Sequence, residues 1–352
     1  MMTKKIWFLS FGHHSDASGS KTRTSRDALL QTIDLAVAAE ELGLDGAAIR
    51  VHHYAPQFAT PMPLLAAMAA RTKRIELGTG VIDMRYENPL SLAEQAASTD
   101  LISSGRLQLG ISRGSQETAR RGYETFGFTP EPGSNDTLMA QSHTMRFREA
   151  IGGQPVAHSH RVTEGASPDL NIQPESKGLA SRIWWGSATR ASAVWTARQG
   201  MNLMSSTLLS ENTGVPFHEL QAEQIEIFRN TWKSAGHSRT PRVAVARSIL
   251  PITTDRDRWY FEGERTSRDE TGVLNGSLSR FGKVYAGEPD QLVADLKEDT
   301  AISAADTLIL TIPNQLGVEH NVHLLSTIMT RIAPAIGWRN GYAPEALTVD
   351  RP

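Results

Sequence analysis

The chain has 352 residues, a formal net charge of −2 and a hydrophobic content of 39%. This length and apolar content are sufficient for one large domain or two medium ones. The near-neutral charge excludes the basic footprint of a nucleic-acid-binding or anionic-membrane-binding protein. The sequence contains no cysteine, which excludes disulfides, thiolate metal sites and cysteine nucleophiles.

The amino-terminal segment begins with a short apolar run after Lys4-Lys5. That run is too short for the core of a signal peptide, and no stretch of the chain reaches the ~20 apolar residues of a membrane span. Together with the absence of cysteine, this leads us to expect a cytoplasmic protein that has no membrane partner.

Short apolar runs then alternate with segments of helical periodicity. The first predicted helix, Arg26 to Glu41, places Leu30, Ile33 and Val37 on one face and stops before Gly43. Further helices are predicted at Pro89–Ser103, Asp136–Ile151, Ala193–Gln199 and Asn321–Ile336. The predicted strands are Lys5–Phe11, Gly46–Val51, Ile75–Ile82, Leu107–Ser112, Ile183–Gly186, Asn202–Ser205, Arg242–Leu250 and Thr307–Ile312. Eight strands that mostly lead to helices predict an α/β fold, a parallel (β/α)8 TIM barrel, with a doubly wound open sheet as the alternative.

Two stretches interrupt this alternation. Residues 114–181 form a predicted insertion between strands four and five, with one clear helix and room for a short hairpin. Residues 253–289 follow strand seven, and ten of the sixteen residues from Asp255 to Glu270 are charged. Long segments of this kind are usually functional lids or disordered, so we predict a mobile lid over the barrel mouth. No linker divides the chain, which we interpret as a single domain over residues 1–352.

Ligands of parallel α/β proteins lie at the carboxyl ends of strands, and the first two candidate groups end strands two and three. His52 and His53 could shuttle a proton near neutral pH, or could be structurally satisfied histidines. In Gly78-Thr79-Gly80-Val81, two glycines allow the backbone to pack against a flat ring. The alternative there is an ordinary transition from strand to loop.

The next two candidate groups end strands four and five. Arg113, between Ser112 and Gly114, could hold a phosphate bidentately or form a surface ion pair. After Trp185-Gly186, the small and hydroxyl-bearing run from 187 to 192 leads into a helix. Such residues at a helix N-terminus form an anion site, or they only cap the helix.

Paired histidines at 13–14, 52–53 and 158/160 raise the alternative of a metal-dependent barrel hydrolase. In barrel amidohydrolases a His-x-His pair ends the first strand, whereas His158-x-His160 falls in the predicted insertion. Adjacent histidines on a strand also point to opposite faces. We therefore predict no metal site.

Together, the four strand ends resemble the bacterial luciferase-like flavin monooxygenase family. The resemblance runs from the first strand to the eighth, and its most specific parts are Ile75–Ile82, residues 88–94, Gly105–Gly114 and Ile183–Gly200. Members of that family are (β/α)8 barrels that hold a flavin or deazaflavin at the carboxyl ends of the strands.

The resemblance also implies roles for individual residues. Gly80-Val81 matches the position where the family often has a non-proline cis peptide under the isoalloxazine ring. Arg113 matches a phosphate-binding arginine, and His52 matches the histidine that luciferases use as a catalytic base. The cofactor-binding residues expected in this way are Gly80, Val81, Ser112, Arg113, Ser187, Ala188, Thr189, Arg190 and Ser192.

The sequence departs from luciferase itself at three places. Val51 replaces the acid of a Glu-His-His pattern, Ser112 stands where luciferase has a cysteine, and residues 115–117 differ. These departures predict a substrate other than a long-chain aldehyde.

The resemblance implies a monooxygenase that uses reduced FMN from a separate flavin reductase, molecular oxygen and a small organic substrate. A hydride-transfer oxidoreductase that uses an 8-hydroxy-5-deazaflavin coenzyme and a non-catalytic flavin-binding protein are the alternatives. Family members are usually homodimers packed through early helices. The segments Leu35–Ala39 and Leu64–Ala70 could form such an interface or could pack inside the chain.

Overall fold

The eight barrel strands are short runs of mostly buried residues, as expected for parallel strands that are covered on both faces. The computed structural model describes residues 4–114, 119–160, 168–274 and 277–338. Barrel strands 1 to 8 are, in order, Lys5–Ser10, Gly46–Ile49, Glu76–Thr79, Leu107–Ser112, Ile183–Ser187, Asn202–Ser205, Val243–Arg247 and Thr307–Thr311.

The barrel is closed by parallel pairing around the whole ring. Barrel strand 1 pairs with strands 2 and 8, and strand 3 pairs with strand 4 through Leu77 opposite Leu107. The remaining neighbours pair in chain order. The predicted TIM barrel is therefore confirmed, and the alternative of an open doubly wound sheet is wrong.

The helices lie around this barrel. They are α1 Ser25–Glu41, α2 Pro61–Arg71, α3 Pro89–Ile102, α4 Asp136–Ile151, α5 Arg190–Arg198, α6 Phe217–Ser234, α7 Asp255–Phe261, α8 Pro289–Lys297, α9 Thr300–Ala304 and α10 Gly317–Thr327. The last predicted helix differs in detail, because α10 continues as a π-helical turn, Ile328–Ile332, and a 3₁₀ turn, Ala333–Ile336. Pro334 has no backbone N–H, so an α-helical ladder cannot continue through it.

Several predicted strands run past the observed ones, and the third and seventh do so by the most. Barrel strand 3 ends at Thr79, and a separate strand, Ile82–Asp83, follows the cis peptide bond between Gly80 and Val81. Barrel strand 7 ends at Arg247, and Ile249–Pro251 then leaves the barrel to pair with Tyr285–Gly287. Ile82–Asp83 pairs with barrel strand 4, so the chain rejoins the barrel sheet there, whereas Ile249–Pro251 does not. In both cases the apolar run of the sequence continues beyond the end of the barrel strand.

The region between barrel strands 4 and 5 contains regular structure besides α4. A 3₁₀ turn, Gly122–Phe126, precedes α4, and Ala157–His158 pairs antiparallel with Asp169–Leu170 after it. A further 3₁₀ turn, Leu179–Arg182, leads into barrel strand 5. Residues 115–118 and 161–167 of the predicted insertion, including the departures at 115–117, lie outside the described residues.

The segment predicted as a lid is also more regular than a loop. After α7 and a 3₁₀ turn, Glu262–Thr266, the strand Glu270–Leu274 pairs antiparallel with Ser277–Phe281. We call these two strands the outer hairpin; residues 275–276 are not described. Its second strand also pairs with Leu208–Leu209, which follows barrel strand 6. The mobility of this segment remains a prediction.

A polar cluster fills the amino-terminal end of the barrel. The Glu76 carboxylate accepts hydrogen bonds from Lys5 Nζ at 2.8 Å and from Arg242 Nη1 at 2.9 Å. It also accepts one from the Trp7 indole at 3.1 Å, and Trp7 packs edge-on against Trp184 at 5.7 Å between centroids. This end is therefore packed, and the open end lies at the carboxyl termini of the strands.

Gly110 allows barrel strands 3 and 4 to approach closely. A Cβ at this position would lie 2.2 Å from the carbonyl oxygen of Thr79, and the Thr79 hydroxyl already bonds the Gly110 backbone. We expect Gly110→Ala to lower the free energy of unfolding by about 1–3 kcal/mol, since overpacking forces backbone shifts. Urea unfolding measures this change. The control is Gly263→Ala, whose Cβ would meet nothing within 4 Å; equal losses in the two variants would contradict the prediction.

Candidate active site

A cavity of about 370 Å³ opens at the carboxyl ends of the barrel strands, beside the outer hairpin. This volume is typical of small-molecule sites. All four predicted strand ends contribute to its lining, so the fold brings the main candidate groups together. The predicted residues in the lining are His52, Gly80, Val81, Ser112, Arg113, Ser187 and Ala188.

The apolar part of the lining combines inward-facing positions of the barrel strands with residues that follow these strands and residues of the outer hairpin and its partner strand. It consists of Leu9, Phe11, Val51, Val81, Met204, Leu208, Ala246, Phe281 and Ile309. Val81 lies against Gly186, because a Cβ on that glycine would be 3.2 Å from the Val81 Cγ1 atom and 3.2 Å from the Ser112 Cβ atom. The Gly80–Val81 peptide bond is cis, as the resemblance implies. These residues form an apolar surface that can support a flat ring.

Arg113 lies at the polar side of the cavity. Its side chain is 37% exposed, and with the part of the chain that the structure describes its guanidinium makes only long contacts, to Thr137 Oγ1 at 3.5 Å and to Asp136 Oδ1 at 3.9 Å. Asp136 is held more closely by Arg85, whose Nη1 donates to Asp136 Oδ2 at 2.9 Å. The loose contacts leave the guanidinium of Arg113 able to bind an anion in the cavity.

Asp83 and Arg85 are parts of the site that the sequence did not indicate. Asp83 lines the cavity, and Arg85 Nε donates to its Oδ1 at 3.0 Å. Burial raises the pKa of Asp83, although the hydrogen bonds and charge of Arg85 act in the opposite direction. Gly114, with φ of +80°, passes so close to this carboxylate that a Cβ would lie 1.9 Å from it. Asp83 and Arg85 alternate in sequence directly after Gly80-Val81. This spacing could have indicated that both side chains lie near the site.

The hydroxyl groups at the start of α5 bond to one another. Thr189 Oγ1 accepts from the Ser192 backbone N–H at 3.1 Å, and Ser192 Oγ accepts from the Thr189 backbone N–H at 3.1 Å. The Ser187 and Ser192 hydroxyls are 2.5 Å apart. These bonds form a capping box, so the prediction that the residues cap the helix is confirmed. Anion binding by the same residues remains a prediction. Thr189 and Ser192 lie just beyond the cavity lining.

Arg190 is not part of the cavity lining. Its Nη2 atom donates to Glu223 at 2.6 Å and its Nη1 atom donates to Glu211 at 3.0 Å. Since Glu223 belongs to α6, these pairs hold the start of α5 to α6. The predicted contact between Arg190 and a cofactor remains untested.

The two adjacent histidines have different surroundings. His52 lines the cavity. His53 is only 7% exposed and stacks on Tyr86, with ring centroids 4.2 Å apart and planes 19° from parallel. Burial, followed by the neighbouring His52, lowers the pKa of His53 to about 4. His52 therefore lies at the cavity, where it can reach a ligand, and His53 lies in the core.

The depressed pKa of His53 makes stability depend on pH. The folded value of about 4 lies below the unfolded value of about 6.5, so the unfolded chain binds the proton more tightly. Stability is then present above the unfolded pKa and is lost as pH falls toward the folded value. Between pH 7 and pH 5 we expect a loss of about 2 kcal/mol from this group.

Urea unfolding at the two pH values measures this loss. His53→Phe keeps an aromatic ring against Tyr86 but cannot titrate, so its pH dependence should be smaller by about the same 2 kcal/mol. Identical slopes for the wild type and His53→Phe would show that another group is responsible.

Arg50 and Phe281 are further lining residues that sequence reasoning did not single out. The Arg50 guanidinium carbon lies 4.8 Å from the centroid of the Phe11 ring. Ala48 faces the barrel interior, and residues two positions apart in a strand share a face. The sequence could therefore have indicated that Arg50 faces the cavity. No such indication existed for Phe281, because its contact with the cavity depends on the pairing of the outer hairpin with Leu208–Leu209.

The positions of the histidines bear on the alternative of a metal-dependent hydrolase. Within residues 4–114, 119–160, 168–274 and 277–338, no group of three or more His, Asp or Glu side chains is placed to hold a metal ion. His158 instead pairs with Asp169 at 2.7 Å. In the same ranges, none of the helices has the length and apolar character needed to cross a membrane.

A sequence model described as luciferase-like monooxygenase matches residues 3–259 of the chain. The chain is 26% identical over 267 residues to the alkanal monooxygenase alpha chain of Photobacterium leiognathi, covering 72% of this chain and 70% of that protein. It is 28% identical over 205 residues to the uncharacterized protein y4wF of Sinorhizobium fredii, covering 58% of this chain and only 57% of that protein.

The fold is similar to a solved structure from Pseudomonas putida. That structure is the oxygenating constituent of 3,6-diketocamphane monooxygenase, a type II Baeyer-Villiger monooxygenase, in complex with FMN. The two chains superpose with a TM-score of 0.69 at 17% identity, covering 96% of this chain and all of the other. At this level of identity the similarity establishes the shared barrel.

Proposed function

Since the chain belongs to the luciferase-like monooxygenase family, we propose that it is a flavin-dependent monooxygenase. It uses reduced FMN and molecular oxygen to oxidise a small organic substrate, and a separate reductase supplies the reduced flavin. The observation that carries this proposal is the convergence of Gly80-Val81, Arg113, Ser187-Ala188 and His52 on one cavity at the carboxyl ends of the strands.

The residues of the cavity fit a flavin mononucleotide. FMN has a flat ring system with apolar faces and a phosphate at the end of its side chain. The apolar surface around Val81, Leu9 and Ile309 suits the ring, and Arg113 suits the phosphate. The backbone at the start of α5 adds the positive end of a helix dipole near Ser187. When bound, the reduced flavin would supply the electrons for oxygen activation.

His52 is the residue proposed to move a proton at the reacting centre. Its ring lines the cavity at the end of barrel strand 2, where an imidazole can donate and accept protons near neutral pH. Phe281 and Leu208 cover the cavity from the outer hairpin and its partner strand. Their apolar side chains would limit the access of water to the site.

The proposed partners are oxygen, the substrate, a flavin reductase and a second copy of the chain, and we place the reaction in the cytoplasm. The structure limits which surfaces could form the homodimer. Of the two early segments, Leu35 and Ala36 in α1 and Leu65 and Met68 in α2 are buried within the single chain. These residues thus pack internally, and a dimer would use other positions on the early helices.

An anaerobic titration tests the cofactor assignment. Purified protein is titrated with reduced FMN and, separately, with the reduced 8-hydroxy-5-deazaflavin coenzyme, and air is then admitted. We expect tighter binding of reduced FMN and oxygen uptake by the complex. Preferential binding of the deazaflavin without oxygen uptake would instead identify a hydride-transfer enzyme. Flavin binding without any reaction would point to a non-catalytic carrier.

A further inference from the structure

A second cavity of about 350 Å³ lies behind the outer hairpin, between this hairpin and the start of α6. We call it the basic side cavity. Four cationic side chains, Arg247, Arg268, Arg280 and Lys283, line it together with one carboxylate, Asp269. It shares no lining residue with the candidate active site.

The carboxylates near this cavity do not balance its positive charge. Arg247 is neutralised by Asp299, which accepts from its Nε at 2.7 Å and from its Nη2 at 3.0 Å. Asp269 lies 3.5 Å from Arg280 Nη2. Arg268 donates to the neutral carbonyl oxygens of residues 266 and 267, and the Lys283 ammonium lies 4.7 Å from the centroid of the Tyr285 ring. Among residues 4–114, 119–160, 168–274 and 277–338, these four cations thus have two carboxylate partners, Asp299 and Asp269, which leaves two positive charges in excess.

The cavity also has hydrogen-bond donors to offer. The Nε atom of Arg280 is buried and has no hydrogen-bond partner among the residues that the structure describes. A buried donor left without a partner is costly, and a ligand oxygen would satisfy it. The first turn of α6 reaches the cavity through Phe217 and His218, and the Phe217 backbone N–H donates to Asp269 Oδ2 at 2.8 Å. Asp269 is therefore engaged by this helix end and by Arg280, and the charges of Arg268 and Lys283 have no carboxylate partner among the described residues.

We propose that the basic side cavity binds a phosphate group, either as inorganic phosphate or as the phosphomonoester of a small molecule. A dianion matches the two excess cations, and arginine guanidinium groups suit its oxygen atoms. The cavity is large enough for a small phosphomonoester.

Binding at this cavity would act on the neighbouring active site through one strand. Arg280 and Phe281 are adjacent in the second strand of the outer hairpin, and successive residues of a strand point to opposite faces. Arg280 lines the basic side cavity, whereas Phe281 lines the candidate active site. A phosphate that holds Arg280 therefore fixes the strand that places Phe281 over the active site.

Calorimetric titration of the full chain with inorganic phosphate, and separately with glycerol phosphate, tests the proposal. The titrations use Arg113→Gln protein, so that binding at the predicted flavin site does not contribute. We expect saturable binding of at least one ligand, weakened at least ~10-fold by Lys283→Gln, which is about 1.4 kcal/mol, and largely restored by Lys283→Arg. The tighter of the two ligands identifies the source of the phosphate.

The matched control is Lys233→Gln, which removes an exposed lysine at the opposite end of α6 and should leave binding unchanged. Phosphate should also slow amide hydrogen exchange at residues 277–281 in Arg113→Gln protein but not after the further change Lys283→Gln. The proposal would be overturned if Arg113→Gln protein bound neither ligand, or if the further change Lys283→Gln left its affinity unchanged. Neither result bears on the flavin titration, so the two proposals can fail separately.

Discussion

His52→Ala is expected to lower turnover by about 10²- to 10⁴-fold, the range by which a positioned proton-transfer group accelerates a reaction. The dissociation constant for reduced FMN should change by less than about threefold, because His52 lies at the end of barrel strand 2 and Arg113 at the end of strand 4. Product formation with a substrate found by screening measures the first quantity, and anaerobic fluorescence titration measures the second.

The control for this prediction is His158→Ala. The His158 side chain is 81% exposed and pairs with Asp169 in the short strand pair between barrel strands 4 and 5, so its loss should leave turnover unchanged. If His52→Ala retained wild-type turnover, proton transfer by His52 would be excluded. If it lost flavin binding and turnover together, His52 would be a binding residue.

Arg113→Ala is expected to raise the dissociation constant for reduced FMN by about 30- to 150-fold, or 2–3 kcal/mol. A hydrogen bond to a charged group contributes this much when its loss leaves the ligand charge without a partner. The long contacts of Arg113 to Thr137 and Asp136 keep its guanidinium available for this interaction. Reduced riboflavin carries no phosphate, so its affinity should change by less than about threefold.

Two further variants support the comparison between FMN and riboflavin. Arg113→Lys keeps the charge but loses the planar fork, so it should recover part of the affinity for FMN. Arg258→Ala removes an exposed arginine that pairs with Glu262 at the surface and serves as the control. Equal loss of FMN and riboflavin affinity in Arg113→Ala would contradict a phosphate-specific role.

Much of the fold could be predicted because each barrel strand is a buried apolar run with a local boundary. Barrel strands 4 and 6 and helix α4 have the predicted bounds. The largest errors occur where the sequence remains apolar beyond the end of a barrel strand. Val81 follows barrel strand 3 in this way, and Leu250 belongs to a strand that pairs outside the barrel. Periodicity reports burial, and it does not report which neighbour a strand pairs with.

Part of the candidate site could also be predicted, because some of its residues directly follow recognisable strands. His52 and Arg113 stand at strand ends, and parallel strands bring their carboxyl ends to one face of the barrel. The hydrogen bond from Arg85 to Asp136 joins residues 51 positions apart. Pairing over such a distance leaves no periodic signal. The partners of Arg190 on α6 and in the preceding loop were hidden for the same reason.

The Glu76 cluster has a consequence for how the protein is made. It joins Lys5 and Trp7 from the first strand to Arg242 from the seventh, and the ring closes only when Thr307–Thr311 pairs with the first strand. During translation, the first strand leaves the ribosome about 300 residues before its final neighbour. The nascent chain therefore carries an unpaired strand edge through most of its synthesis. Such an edge can pair with other chains and cause aggregation, and chaperones shield it.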